Sequence, residues 1–277
     1  MSEAEFEIVS ALEGAYALRD RASGETMHPG KGPLHEAQAV YVGPARLADR
    51  LAEDCADPLV LLDVGLGAGT NAICALRAAE LAPAPARRLE IVSFDLTYAA
   101  MRHAYESEQR AAFGFTPDVE PAVRSLLDQQ RYESARVTWR LVLGDALQSL
   151  AGEPALSADV VFWDPYSPRA IPVLWSESAF AQLRRVCREG ATVHTFSAAT
   201  ATRSAMLLAG FYVGLAPASG SKQKHATLAA TRLSDLARPL DWTWLRDFPR
   251  VEAPQHEDSL SREARARLAR LPQLGRV

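Results

Sequence analysis

Asp63-Val64-Gly65-Leu66-Gly67-Ala68-Gly69-Thr70-Asn71 is the stretch on which the fold turns. Before it, Pro58 to Val64 reads P-L-V-L-L-D-V, a short apolar run of the kind carried by a parallel strand buried on both faces. After it, residues 71–82 are Ala/Leu-rich with a helical composition, closed by Pro83 and Pro85. Strand, glycine turn and helix follow in order. Glycines there let the backbone turn sharply and approach a ligand closely, although a tight turn alone would also use them. The spacing G-x-G-x-G differs from the dinucleotide fingerprint G-x-G-x-x-G, whose third glycine packs helix on strand beside a pyrophosphate. It suits a ligand without phosphates. Asp63 would repel a pyrophosphate, but it could hold the ammonium of an amino-acid moiety, directly or through water.

Outward from this unit the plan repeats. Leu89 to Phe94 reads as a strand with Asp95 at its end, followed by a helical pattern from about Tyr98 to Ala112. The stretch from about Phe113 to Arg136, broken by Gly114, Pro117 and Pro121, reads as an inserted helix with loops. Further strands are expected at Thr138 to Leu143, Ala158 to Trp163, Ala191 to Phe196, Phe211 to Leu215 and Ala226 to Thr231, with helices near 176–187 and 200–209. The last two strands are separated only by a Gly/Ser/Lys loop, which implies an antiparallel hairpin at the sheet edge. The result is an α/β fold: a doubly wound, mostly parallel, seven-stranded sheet. Three parts are expected: a substrate-side segment over 1–50, the sheet domain over 51–232 and a tail over 233–277, where Ser261 to Arg270 offers a short Arg-rich helix.

In such sheets ligands bind at the carboxyl ends of the strands, so the acids found there matter. Asp95 follows the second strand, where a carboxylate can accept from both hydroxyls of a ribose. Asp145, in Gly144-Asp145-Ala146, follows the third, within reach of an adenine amino group. The fourth strand ends in Trp163-Asp164-Pro165-Tyr166-Ser167-Pro168. Asp-Pro-Tyr at a strand end resembles the motif of amino-group methyltransferases, in which carbonyl and carboxylate acceptors take the protons of an amine and an aromatic ring packs on the substrate. Those bonds aim the nitrogen lone pair at an electrophilic methyl.

Composition narrows the class. The chain has 277 residues, 48% of them hydrophobic and 23% charged, as in a soluble globular protein. Thirty Lys and Arg against 34 Asp and Glu leave a formal charge of -4, so any nucleic-acid contact has to be a local patch. Three cysteines without a C-x-x-C pair argue against a disulfide framework and fit a reducing cytosol. The acidic start Met1-Ser2-Glu3-Ala4-Glu5 is unlike a signal peptide. With no apolar stretch near ~20 residues, a cytoplasmic protein with no membrane partner is expected.

Together these residues resemble a class I S-adenosylmethionine-dependent methyltransferase, a Rossmann-like fold. The likeness narrows to the MnmC-like methyltransferase family. It is carried by S-G-E-T-M-H-P at 23–29, G-P-L-H-E-A-Q-A-V-Y-V at 32–42, the glycine turn, F-W-D-P-Y-S-P-R-A-I-P-V-L-W at 162–175, and G-A-T-V-H-T-F-S-A-A-T-A-T-R-S-A-M-L-L-A-G-F at 190–211. It covers roughly residues 20–232, and Asp-Pro-Tyr stands where members often carry Asp-Gly-Phe.

The resemblance implies methylation of the aminomethyl group on a tRNA wobble uridine, with tRNA as partner and S-adenosylmethionine as cofactor. Asp63, Gly65, Gly67, Gly69, Asn71, Asp95 and Asp145 would hold the cofactor, and Asp164, Pro165 and Tyr166 would carry the chemistry. Many members are fused to an FAD-dependent oxidase. A second strand-glycine-helix fingerprint is missing from this sequence, so no FAD is expected. Nor is a metal, since His28 and His35 lie in a Gly/Pro-rich loop rather than one helical turn apart. His28 could instead close over the site. Arg203, Lys222 and Lys224 are candidates for phosphate contacts, although such clusters are more often solvated faces. Trp175 is either a core aromatic or a base-stacking platform. No obligate protein partner is implied. The alternative function is a small-molecule amine methyltransferase or a spermidine-synthase-like aminopropyltransferase on the same fold.

Overall fold

The computed structural model describes residues 5–83, 86–216, 225–246 and 261–274. In chain order the strands are β1 (Phe6–Ser10), β2 (Tyr16–Asp20), β3 (Thr26–Met27), β4 (Leu59–Val64), β5 (Leu89–Asp95), β6 (Arg131–Glu133), β7 (Val137–Leu143), β8 (Ala158–Trp163), β9 (Cys187–Thr195), β10 (Tyr212–Leu215) and β11 (Thr227–Ala230). The first three form a small antiparallel sheet of their own. The other eight make the main sheet, in the order β10-β11-β9-β8-β4-β5-β7-β6.

β4, β5, β7, β8 and β9 run parallel, and β10 and β11 form the expected antiparallel edge. The sheet has eight strands rather than seven. The additional one is β6, antiparallel to β7 with Tyr132 opposite Trp139. Gln130, at φ +58, reverses the chain after helix Glu120–Gln129 and delivers three residues to the open edge. Three residues are too few for an alternating pattern to register in sequence.

Alternation along the buried strands divides the core. Leu59 and Leu61 of β4 face Ile73 and Leu76 of helix Thr70–Glu80, while Val60, Leu62 and Val64 join Phe180, Leu183 and Met206 on the opposite face. Each fully buried Leu or Val contributes about 1.5–3 kcal/mol, so a one-residue slip in register would forfeit both layers. The described part of the tail joins the second layer through Leu240, Leu245, Leu268 and Leu274. Gln273 blunts the exposed edge of β10: its Oε1 accepts from Val213 N (2.9 Å) and its Nε2 donates to Val213 O and Leu240 O.

From β4 the chain winds outward to β5 and β7, then returns across β4 to β8. The carboxyl ends of β4 and β8 therefore flank the point where the winding reverses, the position at which doubly wound sheets bind ligands. No helix among the described residues is long and apolar enough to cross a membrane.

Candidate active site

A cavity of about 470 Å³ opens at that switch point. Its floor is Val64, Gly65 and Gly67 after β4, Phe94 and Asp95 at the end of β5, Gly144 and Asp145 after β7, and Asp164, Pro165 and Tyr166 after β8. Its roof comes from the small N-terminal sheet and the loop after it, with Glu5, Asp20, Glu25, Met27 and His28.

Gly65 is required by proximity. At φ +92, a Cβ on it would lie 2.4 Å from Asp164 O and 2.7 Å from Pro165 N, so the two strand ends touch only because that side chain is absent. Gly67 is closed from the other side, where an added Cβ would meet Met27 Sδ at 3.2 Å. Gly69, also left-handed, starts helix Thr70–Glu80 and packs on Met101 without lining the cavity. Asp95 Oδ2 accepts from Gly67 N (3.1 Å), drawing the turn toward β5. Burial raises the Asp95 pKa against the backbone N–H groups around it, chiefly that of Gly67. Asp145 caps helix Ala146–Gly152 through Oδ1 and Gln148 N (2.9 Å) while lining the cavity.

Asp164 is the centre of the opposite wall. Its Oδ2 accepts from Asn71 Nδ2 at 2.7 Å. Tyr41, fully buried in the wide helical turn Ala37–Val42, packs on Phe162 and turns its hydroxyl to the same carboxylate. Such turns often mark functional positions. Burial pushes the Asp164 carboxyl up to about 6, opposed by the charge of His28, the nearby Tyr41 hydroxyl and the hydrogen bond from Asn71. Asn71 thus serves the site by orienting Asp164, and it does not face the cavity.

Tyr166 and Ser167 are tied to the roof. The Tyr166 hydroxyl hydrogen-bonds to Asp20, and its pKa is raised by burial and by that carboxylate. Burial of Asp20 would raise its pKa, but hydrogen bonds from Ser23, Ala22 and Tyr166 outweigh it and the pKa is lowered. Ser167 Oγ donates to Glu25 Oε1 at 2.9 Å. Sequence reading missed Asp20, Glu25, Glu36 and Tyr41. The last three stand inside the segments 23–29 and 32–42 that carried the family likeness, which was the available signal.

Three expectations change. Asp63 is 1% exposed, lies below the cavity floor, and accepts at Oδ2 from Ser93 Oγ, which in turn accepts from Trp139 Nε1. It does not reach the cavity to hold an ammonium directly. Trp175 is 5% exposed, wedged against Phe180 and Phe196, and donates from Nε1 to Tyr166 O at 2.9 Å. It buttresses the Asp-Pro-Tyr turn and has no open face for a base. Arg203 is 8% exposed and donates to Thr227 Oγ1 and His225 O, bracing β11 instead of meeting phosphate. Lys222 and Lys224 lie outside the described residues.

Seven acids line the cavity: Glu5, Asp20, Glu25, Glu36, Asp95, Asp145 and Asp164. This favours cationic ligands. No cluster of three or more potential metal ligands occurs among the described residues.

Residues 114–232 match a family described as S-adenosyl-L-methionine-dependent methyltransferase. The tRNA 5-methylaminomethyl-2-thiouridine biosynthesis bifunctional protein MnmC of Pseudomonas aeruginosa (strain PAO1) is 34% identical over 218 residues, which is 74% of this chain and 32% of that protein. The MnmC of Ralstonia nicotianae is 33% identical over 215 residues, with the same shares. The chain spans about a third of the length of these curated relatives. Among solved structures, MNMC2 from Aquifex aeolicus is similar with a TM-score of 0.67 and 26% identity, over 83% of this chain and 72% of that one. A spermidine synthase in complex with the transition-state analogue AdoDATO reaches a TM-score of 0.53 at 12% identity, over 96% of this chain and 82% of that one, a likeness of fold alone.

Proposed function

The chain belongs to the S-adenosyl-L-methionine-dependent methyltransferases of the MnmC type, and from that premise we propose that it methylates the aminomethyl group of a tRNA wobble uridine. The observation carrying this reading is Asp164: a carboxylate fixed by Asn71 at the end of β8, open to an acid-lined cavity and adjoining the glycine turn.

The residues fit the cofactor. The side-chain-free turn at Gly65 and Gly67 leaves room for close backbone approach, and the cavity-lining acids Asp95 and Asp145 would accept from ribose hydroxyls and from an adenine amino group. S-adenosylmethionine supplies an electrophilic methyl on a sulfonium cation, a charge that the acidic lining favours. Asp164, with a pKa near 6, is mostly ionised at neutral pH. It is too weak a base to deprotonate an alkylammonium, whose pKa is about 10. Its role is to accept hydrogen bonds from the amine and hold the lone pair in line, where alignment supplies much of the rate. Tyr166, tethered to Asp20, forms a fixed aromatic wall beside it.

The test is incubation with methyl-labelled S-adenosylmethionine and either bulk tRNA bearing unmethylated aminomethyluridine or polyamine precursors. Label in tRNA, with mass spectrometry locating one added methyl on the wobble nucleoside, is the expected result. Label only in the small amines would replace this reading with the small-molecule alternative, and no label in either would defeat both.

A further inference from the structure

His28 stands between two carboxylates on the cavity wall. Its Nε2 lies 3.7 Å from Asp164 Oδ2 and its Nδ1 3.8 Å from Glu36 Oε1. All three residues line the cavity and are largely buried. The His28 backbone is left-handed, at φ +53, a region that side-chain-bearing residues seldom occupy and that persists only where the surroundings enforce it. The strained backbone carries the imidazole at the gap between the two acids.

The chemistry of this row is constrained. A ring facing an acid on each nitrogen is best matched as imidazolium, with an N–H on both sides. The other groups that act on Asp164 are the Asn71 amide, the Tyr41 hydroxyl and the acid Glu36, with Asp63 coupled to it by charge from beneath the floor. Asn71 and Tyr41 are neutral, Glu36 repels a second negative charge, and Asp63, whose buried carboxyl is pushed up to about 7, does so only where it ionises. Among the described residues lining the cavity, His28 alone can be cationic.

We propose that His28 is a positioning residue whose imidazolium, oriented by Glu36, keeps Asp164 ionised near neutral pH so that the carboxylate remains an acceptor for the substrate amine. The charge coupling stands on geometry alone. Its catalytic consequence rests on the reading of Asp164 as amine acceptor.

The experiment compares wild type with His28→Asn, which tolerates a left-handed backbone, and His28→Gly, which relieves the strain while removing the ring. The first measurement needs no substrate. Protein labelled with carboxyl-carbon-13 aspartate is titrated by NMR, and the Asp164 signal is identified by its loss in Asp164→Asn. The expected result is an Asp164 midpoint raised by about one pH unit or more in both variants, which is a tenfold change in its ionisation ratio. An unchanged midpoint in both folded variants would overturn the proposal. The second measurement is the pH profile of kcat/KM with tRNA. The acid limb should move upward by the same interval, giving about fivefold lower activity near pH 6, about tenfold lower activity near pH 5 and near-normal activity above pH 8. A loss uniform across pH would instead mark His28 as merely structural. If wild type methylates no tRNA at all, the functional reading fails, while the NMR titration still decides the coupling.

Discussion

Asp95 and Asp164 sit at the ends of the two strands that flank β4, yet they carry separable duties. Asp95 draws in the glycine turn and is proposed to take a ribose. Asp95→Ala should weaken S-adenosylmethionine binding by about 1–3 kcal/mol, the range for a charge-assisted hydrogen bond, and calorimetry showing wild-type affinity would remove it from the cofactor site. Asp164→Ala should lower kcat far more than cofactor affinity, because it removes alignment of the amine. Equal losses in both would make it a cofactor or structural residue. Asp63, below them, gives a stability prediction. Burial, only partly offset by the Ser93 hydroxyl, raises its pKa from 3.8 to about 7 in the folded protein. The folded state thus holds a proton that the unfolded chain has released between about pH 4 and 7, and stability falls as pH rises through that window. Asp63→Asn keeps an acceptor for Ser93 and cannot ionise. Its stability relative to wild type should climb across the window and level off above it, as read by denaturant titrations at pH 4, 5.5, 7 and 8. A difference independent of pH would contradict this.

At the scale of elements, the site is assembled by ties between segments remote in sequence. Glu25 in the roof and Ser167 after β8 are 142 residues apart, and Asn71 and Asp164 are 93 apart. The hairpin of β10 and β11 is held in a similar way by Arg203, whose helix, Thr200–Leu208, lies between β9 and β10 in sequence. Arg203→Ala would remove a buried cation's bonds to Thr227 and to His225 O. Hydrogen bonds to charged groups are worth about 1.5–3 kcal/mol, so Tm should fall by roughly 5–10 °C. The salt dependence of tRNA binding should stay unchanged. A variant with normal Tm and weakened tRNA binding would return Arg203 to the RNA surface.

At the scale of the molecule, the formal charge of -4 and the acid-lined cavity both oppose a polyanion. Attraction to the proposed tRNA substrate then has to come from a restricted basic face. Lys222 and Lys224 are the sequence's candidates once Arg203 is assigned to the interior. Replacing both with alanine should flatten the slope of log K against log salt by about one unit for each phosphate that is no longer neutralised, with cofactor affinity as the control for folding. An unchanged slope would exclude Lys222 and Lys224 from the RNA surface.

The sequence by itself determined the sheet, the glycine turn and the acids at the strand ends. Parallel strands buried on both faces must be continuous apolar runs, and the residues that end them are neighbours in the chain, so local pattern is enough. Pro58 to Val64 and Ala158 to Trp163 were legible for that reason, as were Asp95, Asp145 and Asp164. Tertiary structure alone decided which side chains face the cavity. Asp63 and Asp164 both belong to strand ends, yet one faces Ser93 beneath the floor and the other the open wall. Trp175 stayed open between core and stacking platform, and Arg203 read as a surface candidate, because nothing local reports burial. β1, β2, β3 and β6 were not read as strands, since none exceeds five residues or is buried along its whole length, and their pairing is what makes them strands. The roof, the Tyr166–Asp20 tether and the carboxylates flanking His28 exist only after the chain closes on itself, because each joins groups whose proximity no sequence spacing encodes.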